Sequence, residues 1–124
     1  MARILVVDDE PAIRSMLERM ITRLGHEVSV APDGDEALRQ FRAAPFDLVI
    51  TDLMMPERDG IETIRELVRL GQVRVIAMSG GGRSGQTMPL KIAKHVGAMV
   101  ILSKPFSNQE LEHAIEAALS EDTS

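Results

Sequence analysis

Residues 47–60 read DLVITDLMMPERDG and carry the strongest structural signal in the chain. Within them, residues 48–50 form a short apolar run rich in β-branched side chains, which is typical of a strand buried on both faces of a sheet. The run is followed by a carboxylate, Asp52, and then by turn-forming residues that include Pro56 and Gly60. We therefore predict that Asp52 lies at the C-terminal end of a parallel strand, at the edge where open α/β sheets bind ligands.

The composition is that of an ordinary globular domain. At 124 residues, with 44% hydrophobic and 27% charged residues, the chain is expected to form one domain over residues 1–120 and a flexible tail over 121–124. A formal net charge of −5 argues against a nucleic-acid surface, and the absence of cysteine excludes disulfides and thiolate metal sites. The first apolar run, residues 4–7, is too short for a signal peptide or a membrane span, so we expect a cytoplasmic protein that does not bind membranes.

Strand and helix patterns alternate along the chain. Short apolar runs predict five strands, and apolar residues at helical spacing predict five helices, the last of them opened by a capping box at Ser107 and Glu110. This alternation predicts an α/β fold with a parallel sheet and helices on both faces. The predicted strands cover 3–7, 28–30, 48–50, 73–78 and 99–102, and the predicted helices 13–24, 37–41, 61–68, 90–96 and 111–119.

Polar residues follow four of the predicted strands. Asp8 and Asp9 follow the first predicted strand. Asp52 follows the third, Ser79 follows the fourth, and Lys104 follows the fifth. Clustered carboxylates repel one another unless a cation lies between them, and an oxygen-only ligand set favours Mg²⁺. A carboxylate can also attack phosphorus to form an acyl phosphate. The pattern thus predicts metal-assisted phosphoryl transfer onto Asp52, without identifying the phosphoryl donor.

Other interpretations of single features are weaker. Asp8 and Asp9 alone could cap a helix. The glycine-rich residues 80–85 satisfy G-x-G-x-x-G, but they follow the fourth strand and lack the acidic residue that a dinucleotide site needs about 20 positions later. The histidines at 26, 95 and 113 lack a partner at metal-ligand spacing, and packing roles are expected for them.

Four motifs, in this order, closely resemble the receiver domain of two-component response regulators. They are VVDDE at 6–10, DLMMPERDG at 52–60, MSG at 78–80 and KPF at 104–106. The resemblance covers almost the whole chain and implies a CheY-like, flavodoxin-like (βα)5 three-layer sandwich with sheet order 2-1-3-4-5. It also implies roles for six residues of these motifs. Asp52 matches the phosphoacceptor, Asp8 and Asp9 the Mg²⁺-binding acidic pair, Met54 the residue whose backbone carbonyl binds the metal, Ser79 the hydroxyl that contacts the phosphoryl group, and Lys104 the lysine beside it.

Three local features bear on how such a receiver would switch. Family members commonly carry an aromatic residue three positions before the lysine, and here Ile101 occupies that position. The glycine-rich loop at 80–85 is expected to become ordered on phosphorylation or partner binding. The resemblance also implies a cis peptide bond between Lys104 and Pro105.

Because 124 residues leave no room for a second folded output domain, we expect a stand-alone response regulator, monomeric or weakly dimeric. It would accept phosphate on Asp52 from a histidine kinase or a histidine phosphotransfer protein. Its output would be phosphate relay or binding of a downstream protein through the predicted fourth helix, fifth strand and fifth helix. We expect only Mg²⁺-dependent self-phosphorylation and slow autodephosphorylation, and no enzyme activity on a free substrate. Two alternatives are a docking module that works without phosphorylation and a Mg²⁺-dependent phosphatase of similar topology. The phosphatase is disfavoured because Met54 occupies the position of its acidic residue.

Overall fold

Five strands and four helices are found in the residues that the computed structural model describes, which are 2–52, 60–70, 73–79 and 100–120. Each strand other than the first differs in its bounds by one or two residues from the predicted run. The strands are β1 (Arg3–Val7), β2 (Glu27–Ala31), β3 (Leu48–Asp52), β4 (Arg74–Ser79) and β5 (Val100–Ser103), and the helices are α1 (Pro11–Arg23), α2 (Gly34–Ala43), α3 (Gly60–Leu70) and the C-terminal helix (Asn108–Ser120).

All five strands run parallel in one sheet, in the order β2-β1-β3-β4-β5. This order confirms the predicted flavodoxin-like architecture. The neighbouring strands β1 and β3 pair with Val7 opposite Thr51. The residues that follow in this register are Asp8 and Asp52, so the pairing brings two predicted site residues to the same edge of the sheet.

The sheet separates two apolar layers. Because side chains alternate along a strand, Ile4 and Val6 of β1 pack on one face against α1 and the C-terminal helix, whereas Leu5 and Val7 pack on the other face against α2 and α3. Leu17, Ile21, Leu111 and Ile115 supply the first layer, and Leu38 and Leu67 contribute to the second. The central strands are buried on both faces, as their continuous apolar runs predict.

Several helix ends follow their sequence signals. Gly25 has φ +96°, a backbone conformation that L side chains rarely adopt, and it follows the end of α1. The capping box is present, since Glu110 N donates to Ser107 Oγ at 3.1 Å and Ser107 N donates to Glu110 Oε1 at 2.8 Å. The Lys104-Pro105 peptide bond is cis, as expected.

Some predictions fall outside the described residues: the helix over 90–96, the glycine-rich loop at 80–85, and the tail over 121–124. The domain boundary at residue 120 also stays a prediction. Among the described helices, none combines the length and apolar character needed to cross a bilayer.

Candidate functional site

The site lies where β1, β3 and β5 end. Asp8 follows β1, Asp52 is the last residue of β3, and Lys104 follows β5. Asp8 continues the alternation of Ile4 and Val6, and Asp52 continues that of Leu48 and Ile50, all of which face α1 and the C-terminal helix. Alternation along the strands therefore directs both carboxylates to the same side of the sheet.

Lys104 bridges the two buried carboxylates. Its Nζ donates to Asp8 Oδ2 at 2.8 Å and to Asp52 Oδ2 at 3.4 Å. The Asp8 side chain is 0% exposed, that of Asp52 6%, and that of Lys104 14%. Burying a carboxylate is costly unless a positive charge lies nearby. The ammonium of Lys104 provides that charge for both Asp8 and Asp52.

The two carboxylates also keep the lysine charged. Burial by itself lowers the pKa of Lys104, but the hydrogen bond to Asp8 and the negative charges of Asp52 and Asp8 outweigh it, so the pKa lies above its ordinary value. Lys104 is therefore a cation at neutral pH.

Asp8 is held through each of its polar groups. Its backbone N donates to Ala31 O at 3.1 Å, and its Oδ1 accepts from Glu10 N at 2.9 Å. Its Oδ2 accepts from Lys104, and its backbone carbonyl accepts from Arg14 Nη1 at 2.8 Å. This carboxylate is a fixed part of the site.

Asp9 differs from its neighbour. It is exposed, and within the described part of the chain its carboxylate makes no hydrogen bond or ion pair. One carboxylate oxygen each from Asp8, Asp9 and Asp52 lies within 4.8 Å of the other two. These are oxygen donors only, as Mg²⁺ prefers, and the three carboxylates together carry more negative charge than the ammonium of Lys104 alone neutralises. The donor set therefore fits a divalent cation.

The structure brings together four of the six predicted site residues, namely Asp8, Asp9, Asp52 and Lys104. Ser79 is the last residue of β4, which pairs with β3, so its backbone lies at the same edge of the sheet. Met54 lies outside the described residues. Arg14 was not among the predicted site residues, although a basic residue so soon after an acidic pair was a signal available from the sequence.

Comparisons with known proteins agree with this geometry. A sequence model of the response regulator receiver domain family matches residues 4–116. Among curated relatives, the probable transcriptional regulator ycf27 of Pyropia yezoensis is 39% identical over 117 residues, which are 94% of this chain and 47% of that protein. The chain thus spans about half the length of the curated relative.

Two solved structures match over nearly the full length of both chains. The chemotaxis protein CheY4 of Vibrio cholerae has a TM-score of 0.88 and 31% identity, with 96% of this chain and 99% of that chain covered. A response regulator receiver domain protein from Clostridium thermocellum has a TM-score of 0.87 and 34% identity, with 96% and 94% covered. The match to the family model, the parallel sheet order and these likenesses agree, and the chain belongs to the family of response regulator receiver domains.

Proposed function

We propose that this receiver accepts a phosphoryl group on Asp52 from a phosphohistidine of a histidine kinase or a histidine phosphotransfer protein. The observation that carries the proposal is the bridge from Lys104 to Asp8 and Asp52 at the carboxyl edge of the sheet. The bridge supports the proposal because the carboxylates of Asp8 and Asp52 and the ammonium of Lys104 lie within one group of contacts.

Asp52 supplies the nucleophile. A carboxylate oxygen of Asp52 attacks phosphorus while the bond from phosphorus to the donor nitrogen breaks, and the electron pair of that bond leaves with the donor. The product is an acyl phosphate on Asp52. The carboxylate is 6% exposed, so little water surrounds the oxygen that must attack.

Lys104 supplies a positive charge beside the transferred group. Its ammonium lies 3.4 Å from Asp52 Oδ2, within reach of a phosphoryl group carried by that residue. Such a charge stabilises a phosphoryl anion most strongly in a site with little water. We assign the same purpose to the Ser79 hydroxyl on the basis of its position at the end of β4.

Asp8, Asp9 and Asp52 would hold the metal, with the Met54 carbonyl as a further ligand. When bound, Mg²⁺ neutralises negative charge on the phosphoryl oxygens. Asp8 offers a fixed, buried carboxylate, and Asp9 offers an exposed one that an ion can reach from solvent.

The output would be a change in protein binding or the transfer of the phosphate to a second protein. We assign no substrate turnover beyond self-phosphorylation and slow hydrolysis of the acyl phosphate.

The test is phosphorylation by acetyl phosphate and Mg²⁺, measured by intact mass. We expect an added phosphoryl group in the native chain and in Asp35→Asn, a control at an exposed carboxylate of α2, but not in Asp52→Asn. Omitting Mg²⁺ should remove the adduct from the native chain. If the native chain gives neither an adduct nor beryllofluoride binding, the docking module that works without phosphorylation becomes the better explanation.

A further inference from the structure

Arg14 is placed where a helix disfavours a positive charge. It is the fourth residue of α1, and its backbone N donates to Glu10 O at 3.1 Å, in the first turn of the helix. The helix dipole makes this end positive, so an arginine here is electrostatically unfavourable unless a local partner compensates. The compensating group belongs to Asp8, in the turn between β1 and α1.

The partner of Arg14 is a backbone carbonyl. Its Nη1 donates at 2.8 Å to the carbonyl oxygen of Asp8, and the side chain is half-buried. The carboxylate oxygens of Asp8 are thereby left to Glu10 N and Lys104. Unlike Lys104, Arg14 does not occupy an oxygen that a metal ion would need.

The contacted carbonyl belongs to the peptide unit that joins Asp8 to Asp9. Because a peptide unit is planar and rigid, holding its oxygen also restricts the direction in which the chain enters Asp9. Asp8 is fully buried, so without Arg14 its carbonyl would lose its donor, and the peptide would be expected to rotate to find another one. Such a rotation would change the separation of the two carboxylates.

We propose that Arg14 is a positioning residue for the cation site: it holds the peptide unit between Asp8 and Asp9, and so sets the spacing of the two carboxylates. This inference rests on the proposed function, in which those carboxylates bind Mg²⁺. Residues that orient metal ligands without touching the metal typically change metal affinity by about 10- to 100-fold when they are replaced.

The test compares Mg²⁺ with Ca²⁺. Mg²⁺ requires nearly ideal octahedral geometry, whereas the larger Ca²⁺ tolerates irregular ligand sets. A change in the spacing of the Asp8 and Asp9 carboxylates should therefore weaken Mg²⁺ binding more than Ca²⁺ binding. By contrast, the loss of a nearby positive charge should change both affinities in the same direction and to a similar extent. The ratio of the two affinities separates positioning from charge and from general stability.

Isothermal titration calorimetry on the native chain, Arg14→Met and Arg19→Met gives this ratio. Arg19 is an exposed arginine of the same helix, so its replacement removes the same charge without touching the turn. For Arg14→Met we expect about a tenfold loss of Mg²⁺ affinity and less than about a threefold change for Ca²⁺. For Arg19→Met we expect an unchanged ratio.

An equal change for both ions in Arg14→Met, or no change, would overturn the positioning role. If Arg14→Met does not fold, Arg14→Gln is judged by the same criterion, and failure of both variants to fold would replace the inference with a purely structural role. If the native chain itself binds no Mg²⁺, the proposed function fails instead.

Discussion

Lys104 lies closer to Asp8 than to Asp52: its Nζ is 2.8 Å from Oδ2 of Asp8 and 3.4 Å from Oδ2 of Asp52. The stronger hydrogen bond thus goes to the acidic pair and the longer one to the proposed phosphoacceptor. In this arrangement the lysine acts as a built-in counter-ion for the carboxylates. A metal ion would bind the same oxygens, so lysine and metal ion are expected to compete for Asp8.

Replacing the lysine should make the chain more dependent on Mg²⁺. In Lys104→Met the buried carboxylates lose the ammonium that bridges them, and we expect the metal-free chain to be less stable by roughly 3–5 kcal/mol. Saturating Mg²⁺ should then stabilise this variant more than the native chain, for which an ion at 100 times its dissociation constant adds about 2.7 kcal/mol. Urea unfolding followed by circular dichroism measures both effects. An equal Mg²⁺ response in the two chains would contradict the competition.

The Lys104 ion pairs should also make the stability of the metal-free chain depend on pH in a defined way. The folded-state pKa of Lys104 is raised, and the pKa of an unperturbed lysine is about 10.4. Its stabilising contribution is therefore fully present below about pH 10 and is lost as the pH rises through the raised pKa. In EDTA, the stability difference between the native chain and Lys104→Met should stay constant from about pH 7 to 9 and shrink above about pH 10.5. A difference that shrinks between pH 7 and 9 would contradict this assignment.

Asp8 and Asp9 should respond differently to the same substitution. Asp8→Ala removes the acceptor for Glu10 N and leaves Lys104 without its closest partner, so we expect a loss of about 2 kcal/mol or more. Asp9→Ala removes an exposed side chain, and we expect a change within about 0.5 kcal/mol. Both variants should bind Mg²⁺ more weakly. Urea midpoints in EDTA would test the predicted stabilities, and calorimetric titration would test the predicted Mg²⁺ affinities. Equal stability losses in the two variants would show that Asp9 has structural contacts of its own.

The capping box gives a test of the fold that does not involve the site. Ser107→Ala should lower the free energy of unfolding by about 1 kcal/mol, because Glu110 N then loses its acceptor at the start of the C-terminal helix. Ser107→Asp, which keeps a capping oxygen, serves as the matched control. Neither variant should alter phosphorylation of Asp52 by acetyl phosphate. A destabilisation as large in the control as in Ser107→Ala would indicate that packing, and not capping, is lost.

The sheet and much of the site follow from patterns that are local in sequence. Apolar runs that end in a polar residue locate Asp8 and Asp52 at strand ends, and the alternation from Ile4 and Leu48 onward places both on one side of the sheet. Side chains alternate between the two faces of a sheet with a period of two residues, so the face on which a strand residue lies can be predicted from its spacing alone.

Contacts between distant segments do not follow in this way. Lys104 is 96 positions from Asp8, and nothing in the spacing indicates that it would pair more closely with Asp8 than with Asp52. The Arg14 contact depends on where α1 lies over the end of β1. That placement is set by packing of the whole apolar layer, including Leu17 and Ile21, and not by any short pattern.

The pairing of Val7 with Thr51 has a consequence for how such a chain can diversify. Neighbouring strands are held about 4.8 Å apart by their hydrogen bonds, whatever side chains they carry. The backbone therefore sets the distance between the Cα atoms of Asp8 and Asp52. Exposed helix positions such as Arg19 can be replaced without changing that distance, so a binding surface on the helices and the proposed phosphoryl site can vary independently.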